Sequence, residues 1–475
     1  MSGGSDTSRE LVSELAALLG PEGWLPPDDI ADRLVDFRGV FTGSALGLAR
    51  PASTDEVSVV VRTCAAYGAS VVTQGGNTGL SGGAIPVGDR PTVLLTPSRM
   101  NAIEEVNTAR STITAQAGVT IQALQEAAAS ADRLFAPDWG ARGTATLGGG
   151  IATNAGGINV LRYGSMREQV LGLEVVLADG RVWDGLRALP KDNSGFDLKQ
   201  LFIASEGTIG IVTRAVLRLH PLPSAHRTAF VALRSLGDLD ALFALARARP
   251  PGALSAFELI PETGVRQVVD RFDIVRPMST VADWYVLLRF SGEPGVGDAL
   301  IDLLATASDD GLIVDGVVAD STPHEDNLWL LRDELTATRS FGGFGVKYDL
   351  AIPPDRIERF LTLASAAVAE ILADALSYAF GHVGDGNIHF TVLRPDGDDR
   401  DLERVAPDIT AAIDRIVWDL GGTISAEHGL GRELRSRIVG QKPEIEFELM
   451  RTIKAALDPD DRLNPDVMLP DPPAR

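Results

Sequence analysis

Cysteine is almost absent. The single one in 475 residues, Cys64, excludes a disulfide within the chain and any cysteine-ligated zinc or iron–sulfur centre. It lies in an apolar helical run, where a thiol serves as small buried packing. Long apolar runs are missing too, none reaching the ~18–20 residues that span a bilayer. The opening MSGGSDTSRE has neither the apolar region of a secretory signal nor the Arg-rich, acid-poor character of a transit peptide, so the chain reads as cytoplasmic. Basic charge is in short supply: 43 Lys and Arg stand against 65 Asp and Glu, a net charge of −22. That balance disfavours nucleic acid and anionic membranes, and an anionic substrate must be captured locally by specific Arg and Lys residues. Two nucleotide fingerprints are also missing. No G-x-G-x-x-G opens a helix, and no G-x-x-x-x-G-K-[ST] occurs, which argues against a common dinucleotide fold and a P-loop NTPase.

What is plentiful is glycine. The 49 glycines cluster in GGNTGLSGG (75–83) and GARGTATLGGGIATNAGG (140–157). The first cluster follows structured chain, unlike a linker. Ser53 and Glu56 make a capping box, apolar residues recur at helical spacing from Val57 to Ala65, Gly68 ends the helix, and SVVTQ (70–74) reads as a buried strand. TVLLT (92–96) is the next strand. Glycine between such elements lets backbone N–H groups approach an anion without a Cβ in the way, so the loop reads as a phosphate cradle. A chain this long holds two or three domains, and no internal repeat is visible. After His220-Pro221-Leu222-Pro223, short strands (230–235, 284–290) alternate with amphipathic helices (237–249, 296–308), the pattern of an antiparallel sheet covered by helices. The acidic patch DGDDRD (396–401) lacks EF-hand spacing and reads as a solvated loop.

Taken in order, QGGNTG (74–79), ATLGGGIATNAGG with RYGS (162–165), the hairpin LGLEVVLADGRVWD (171–184) and SEGTIGIVT (205–213) resemble the vanillyl-alcohol-oxidase superfamily of flavoproteins. The resemblance implies an α+β protein: a two-part FAD-binding domain over 1–222, an antiparallel-sheet substrate and metal domain over 223–425, and a C-terminal helical segment over 426–475 returning to the FAD. It places the cofactor against Gln74, Gly75, Gly76, Asn77, Thr78 and Gly79, against Gly148, Gly149, Thr153, Asn154 and Gly156, against Glu206, Gly207 and Ile211, and against Asn464. No His or Cys lies in the loop at 74–83, so FAD is expected to be bound non-covalently.

Of only six histidines, two fall within GHVGDGNIHF (381–390), either side of a Gly-Asp-Gly-Asn turn, and SAEHGLGRE (425–433) sets Glu427 beside His428. A lone buried His is usually a hydrogen-bonded core residue. Two imidazoles and a carboxylate in turn-bounded, Gly-rich segments also suit Zn²⁺, Mn²⁺ or Fe²⁺. Both segments resemble the C-terminal domain of FAD-linked D-lactate, glycolate and D-2-hydroxyglutarate dehydrogenases. That resemblance implies His382, His389 and Glu427 as ligands of a metal, zinc first, and His428 as the base beside the substrate hydroxyl. Within this family, LRDELT and VKYDLA resemble the substrate-binding segments of the D-2-hydroxyglutarate branch, implying roles for Arg332, Thr336 and Lys347; SAFELI (255–260) points the same way. On generic grounds Arg332 would be a surface salt-bridge partner, and Lys347 a partner of Asp349. That branch usually has Asn where Thr391 stands, and Thr391 shares a strand face with His389. The expected reaction is metal-assisted loss of a proton and a hydride from a D-2-hydroxy acid, with electrons passed on to an electron-transfer flavoprotein or a quinone. A D-lactate or glycolate dehydrogenase, an oxidase, and a flavin-binding subunit of a larger complex are the alternatives; a homodimer is compatible with any of them.

Overall fold

The first sequence-coded helix is built by its cap. Ser53 is extended, and its side chain accepts from Glu56 N at 3.2 Å, while the Glu56 carboxylate accepts from Ala52 N at 2.8 Å. The reciprocal arm thus reaches one residue further back than in the standard box. The helix Thr54–Ala66 buries Val57, Val60, Val61 and Cys64, and burial pushes the Cys64 thiol up to about 12. Gly68, at φ +69°, lets the chain turn into the strand Ser70–Thr73, which pairs in parallel with Thr92–Leu95.

These elements come from a computed structural model, which describes residues 3–189, 191–338, 344–394 and 399–471. The chain divides into two units: 1–157, 164–222 and 427–475 form the first, and 158–163 with 223–426 the second. The first unit holds two main sheets. One has four strands, in the order Trp24–Leu25, Leu48–Ala49, Thr92–Leu95, Ser70–Thr73. The other is an antiparallel five-stranded sheet, in the order Ile103–Asn107, Thr112–Gln116, Ile211–Arg218, Val170–Val176, Val182–Gly185. The hairpin expected at Asp179-Gly180 joins the last two strands, with Gly180 at φ +80°. The C-terminal segment closes the first sheet: Leu463 bridges Val71 in parallel, and Asn464 N donates to Val71 O at 2.8 Å.

The second unit carries an antiparallel sheet ordered Leu254–Pro261, Trp284–Gly292, Ala225–Leu233, Ile313–Val318, and a second one ordered Gly345–Ala351, Asn387–Leu393, Leu376–Phe380. A pair of hydrogen bonds between Leu259 and Gly381, 2.9 and 3.2 Å, joins the two at their facing edges. The helices Leu239–Ala248 and Val296–Asp309 lie where amphipathic periodicity put them. The acidic patch departs from the expected loop: 396–398 lie outside the described residues, and Asp399, Arg400 and Asp401 open the helix Asp399–Asp419. Carboxylates suit that position, because the first turn of a helix carries partial positive charge.

No helix among the described residues is long and apolar enough to cross a membrane. Ser53→Ala should cost about 1 kcal/mol of stability through the lost cap, read as a lower midpoint in denaturant unfolding with unchanged slope. An unchanged midpoint would show that Glu56 and Ala52 suffice.

Candidate active site

In the first unit the Gly-rich loop is pinned from inside. Gln74 is fully buried, and its side-chain amide donates to Arg33 O (3.0 Å) and Ala84 O (3.1 Å), closing the loop's two ends. Asn77, at φ +55°, donates from its side chain to Val35 O. Gly75 and Gly76 pass so close to Thr146 and Thr144 that an added Cβ would meet Thr146 Oγ1 at 2.3 Å and Thr144 O at 2.1 Å. Thr78 is partly exposed and Gly79 exposed, with open space where a Cβ would sit. A cleft of about 430 Å³ lies along this path, lined by Arg33, Gly75, Gly76, Thr120, Thr144 and Thr146 among others.

The second glycine cluster contributes the short helix Leu147–Thr153, capped by Thr146 and containing Gly148 and Gly149. Thr153 Oγ1 donates back to Gly149 O. Asn154 ends the helix at φ +53°, and its Oδ1 accepts from Ser165 Oγ and Arg167 N, so its side chain shapes the turn into RYGS. Gly156 is buried beside Gly157, whose N–H donates to Glu427 Oε1 at 2.9 Å. Ile211 is packed in the apolar core and opens the strand Ile211–Arg218, paired with Val176.

Glu206 ties down a neighbouring loop. It is held at φ +50° before Gly207 at φ +71°, and its carboxylate accepts from Leu430 N (2.8 Å) and Gly431 N (2.9 Å). Ser81 Oγ donates to the carbonyls of His428 and Gly429. The loop carrying half-buried His428 is therefore clasped on two sides. Asn464 donates to Gly83 O and Glu206 O, while its own Oδ1 and the Oε1 of Gln74 are buried acceptors without a partner. These two buried acceptors, together with a cleft edged by glycine and threonine, fit a dinucleotide ligand.

In the second unit the turn after Phe380 brings the two histidines together. Strands Leu376–Phe380 and Asn387–Leu393 are antiparallel neighbours, and the His382 and His389 ring centroids lie 6.0 Å apart, both rings buried. Each has a carboxylate at Nδ1. Glu258 Oε1 lies 2.8 Å from His382 Nδ1, and Asp349 Oδ1 lies 3.7 Å from His389 Nδ1 while accepting from Asn387 Nδ2 at 2.8 Å. Arg332, expected on generic grounds at the surface, is 8% exposed. Its Nε donates to Glu258 Oε2 at 2.8 Å, and one NH₂ lies 3.0 Å from His382 Nε2. One edge of its donor fork is thus already engaged within the unit. Thr336, one turn on, is exposed.

Register places Lys347 directly opposite Thr391, and Asp349 opposite His389. Opposed residues of an antiparallel pair project to the same face, so Lys347, Thr391, Asp349 and His389 share one. Lys347 is exposed and Thr391 fully buried. Ala426 N donates to Asp349 O at 3.3 Å, and Glu427 is the next residue in the chain. Glu258 was missed from sequence, although an acid in the middle of the fully buried strand Leu254–Pro261 is the signal that marks it. Burial alone would raise its carboxyl, but His382 and Arg332 hold it down to about 2.

The FAD binding domain model matches residues 45–185, and that of the C-terminal domain of FAD linked oxidases matches 222–468. Among solved structures, p-cresol methylhydroxylase is similar at TM-score 0.76 and 16% identity, covering 99% of this chain and 98% of that one. Alkyldihydroxyacetonephosphate synthase is similar at TM-score 0.74 and 18% identity, covering 96% and 84%. The fold is therefore that of the vanillyl-alcohol-oxidase type of FAD enzyme. D-2-hydroxyglutarate dehydrogenase of Danio rerio is 36% identical over 98% of this chain and 86% of its own length, and that of Xanthomonas citri pv. viticola is 35% identical over 92% of each. The chain belongs to the FAD-linked D-2-hydroxy acid dehydrogenase family and is an FAD-dependent dehydrogenase acting on a small hydroxy acid.

Burial pushes the Glu206 carboxyl up to about 7, against the pull of the Leu430 and Gly431 N–H groups. An unfolded Glu titrates near ~4.3. Between these values the folded protein keeps a proton that the unfolded chain has lost, so this residue's contribution to stability falls as pH rises through that window. Glu206→Gln should abolish that dependence. Relative to wild type, the variant's unfolding free energy should improve by about 2–3 kcal/mol from pH 5 to pH 8. Parallel pH profiles for the two proteins would show that Glu206 does not titrate there.

Proposed function

We propose that the chain oxidises D-2-hydroxyglutarate to the 2-oxo acid, with His382, His389 and Glu427 holding a divalent metal, zinc first, with Mn²⁺ or Fe²⁺ as the other candidates. The observation that carries the substrate is the sheet face on which Lys347 stands opposite Thr391, in line with His389. The relatives described above bear the name of that activity. The donor set fits a metal: two imidazoles and one carboxylate leave positions open for substrate oxygens.

When bound, FAD supplies the acceptor for the C2 hydride, and the metal supplies Lewis acidity that makes the α-hydroxyl easier to deprotonate. FAD is held non-covalently, with the 74–79 loop, the Gly148–Gly149 helix, Asn154, Gly156 and the 206–211 stretch around it and Asn464 closing the site. His428 takes the proton of the C2 hydroxyl at its imidazole nitrogen, and the C–O bond becomes the carbonyl. Its loop is fastened by Ser81 and Glu206, which limits the imidazole's travel. The substrate's distal carboxylate pairs with Lys347, with Thr336 and Thr391 as hydroxyl donors. Arg332 contributes its buried charge; the edge shared with Glu258 leaves the pairing chiefly to Lys347. The electrons pass to an electron-transfer flavoprotein or a quinone, and a homodimer is compatible with this chemistry. A D-lactate or glycolate dehydrogenase is the second reading, favoured by Thr391, which stands where Asn is usual in the hydroxyglutarate branch.

Two measurements test the assignment. His428→Ala should lower kcat roughly 10²–10⁴-fold while FAD content, read from the flavin band, stays normal; near wild-type kcat would move the proton to another group. Lys347→Ala should lower kcat/KM for D-2-hydroxyglutarate about tenfold or more, the worth of one hydrogen bond to a charged group, and leave D-lactate little changed. An equal fall for both acids would place Lys347 on the shared carboxylate, and a wild-type preference for D-lactate would overturn the substrate.

A further inference from the structure

The second unit buries a carboxylate that the reaction does not consume. Glu258 is 1% exposed at the middle of a fully buried strand, and the Leu259–Gly381 bridge fixes that strand beside the turn bearing His382. Its two oxygens are divided between two partners: Oε1 faces His382 Nδ1 at 2.8 Å, and Oε2 accepts from Arg332 Nε at 2.8 Å. An ionised carboxylate has no proton to give, so the proton in the first contact belongs to His382 Nδ1. The Arg332 NH₂ nitrogen lies 3.0 Å from Nε2 and 3.3 Å from Nδ1, nearly equidistant from the two, which sets the guanidinium against the ring face rather than on the in-plane lone pair of Nε2. The Glu258 contact therefore places a ring proton on Nδ1 and leaves Nε2 as the nitrogen that can offer a lone pair to a metal.

We propose that Glu258 is a positioning residue that holds the Nδ1 proton of His382, so that the ring presents the Nε2 lone pair to the metal, and that it fixes Arg332 through its second oxygen. The inference rests on the reading of His382 as a metal ligand. It goes beyond that reading by assigning to Glu258 the tautomer and orientation of the ligand, the role that carboxylates behind ligating histidines play in general. It also couples the two halves of the site, because one carboxylate aligns a metal-binding ring and the guanidinium nearest to it.

The test uses full-length, FAD-loaded protein stripped of metal, then titrated with Zn²⁺ against a chromophoric chelator, for wild type, Glu258→Ala and Glu258→Gln. Glu258→Ala is expected to bind Zn²⁺ 10–100-fold more weakly. Glu258→Gln should recover most of that loss, since an amide oxygen still accepts from Nδ1–H. Alanine within twofold of wild type, or glutamine no better than alanine, overturns the proposal. The ¹⁵N spectrum of ring-labelled histidine in the metal-free wild type gives a second, metal-independent readout. The proton of His382 is expected on Nδ1 alone; a proton on Nε2 overturns the assignment. If wild type binds no Zn²⁺, the metal reading fails while the ¹⁵N spectra of wild type and Glu258→Gln still decide what Glu258 does to the ring. If the alanine variant fails to retain FAD or to melt cooperatively, the glutamine variant and the wild-type spectrum carry the decision.

Discussion

A carboxylate buried in an apolar strand survives only if its charge is answered, and the chemistry of the second unit depends on how Glu258 is answered. Removing a charge from water costs several kcal/mol even after relaxation. Here two donors on two elements meet that demand, Arg332 from the helix Thr322–Thr338 and His382 from the turn after Leu376–Phe380. Neither partner can move without leaving the carboxylate unsatisfied. Leu328, Leu331 and Leu335 bury the other stripe of that helix, so packing and charge fix the same rotation about its axis. The polar cluster is therefore tied to the core by the same turn of helix that carries its cation.

The first unit solves a different problem, that of holding irregular loops still. Gly75 and Gly76 admit close passage of Thr144 and Thr146, while Gln74 closes the loop beneath them. Glu206 does for the 427–431 loop what Gln74 does for its own, with a carboxylate accepting two consecutive backbone N–H groups. Loops so fastened pay their ordering cost during folding rather than on ligand binding.

Much of this was legible in the sequence because it is written in local rules. The capping pair Ser53 and Glu56, the turn at Asp179-Gly180 and the alternation that sets Thr391 on one strand face with His389 each depend on residues close together in the chain. The pairing of His382 with His389 was legible because a short turn separates them. What was not legible depends on partners far apart. Arg332 looks like a surface residue until Glu258, 74 positions away, is brought beneath it. Glu258 itself is concealed in an apolar run, where only its charge stands out. The acidic stretch near 399 was misread because its charge suggests a solvated loop, whereas Asp399 and Asp401 complement the start of a helix.

The discontinuity of the first unit bears on how the chain is made. Residues 427–475 supply Leu463 and Asn464 to the strand at Val71, and Leu430 and Gly431 to Glu206. During synthesis from the N-terminus, those partners emerge last. The nucleotide-binding unit must then wait, with Glu206 and the edge of Ser70–Thr73 unanswered, while most of the second unit, 223–426, is already available to fold. Domains usually complete in order of synthesis; here the unit begun first is the unit finished last, and a chain cut short before residue 427 would have a cofactor cradle that lacks the Leu463 bridge to Val71 and the backbone partners of Glu206.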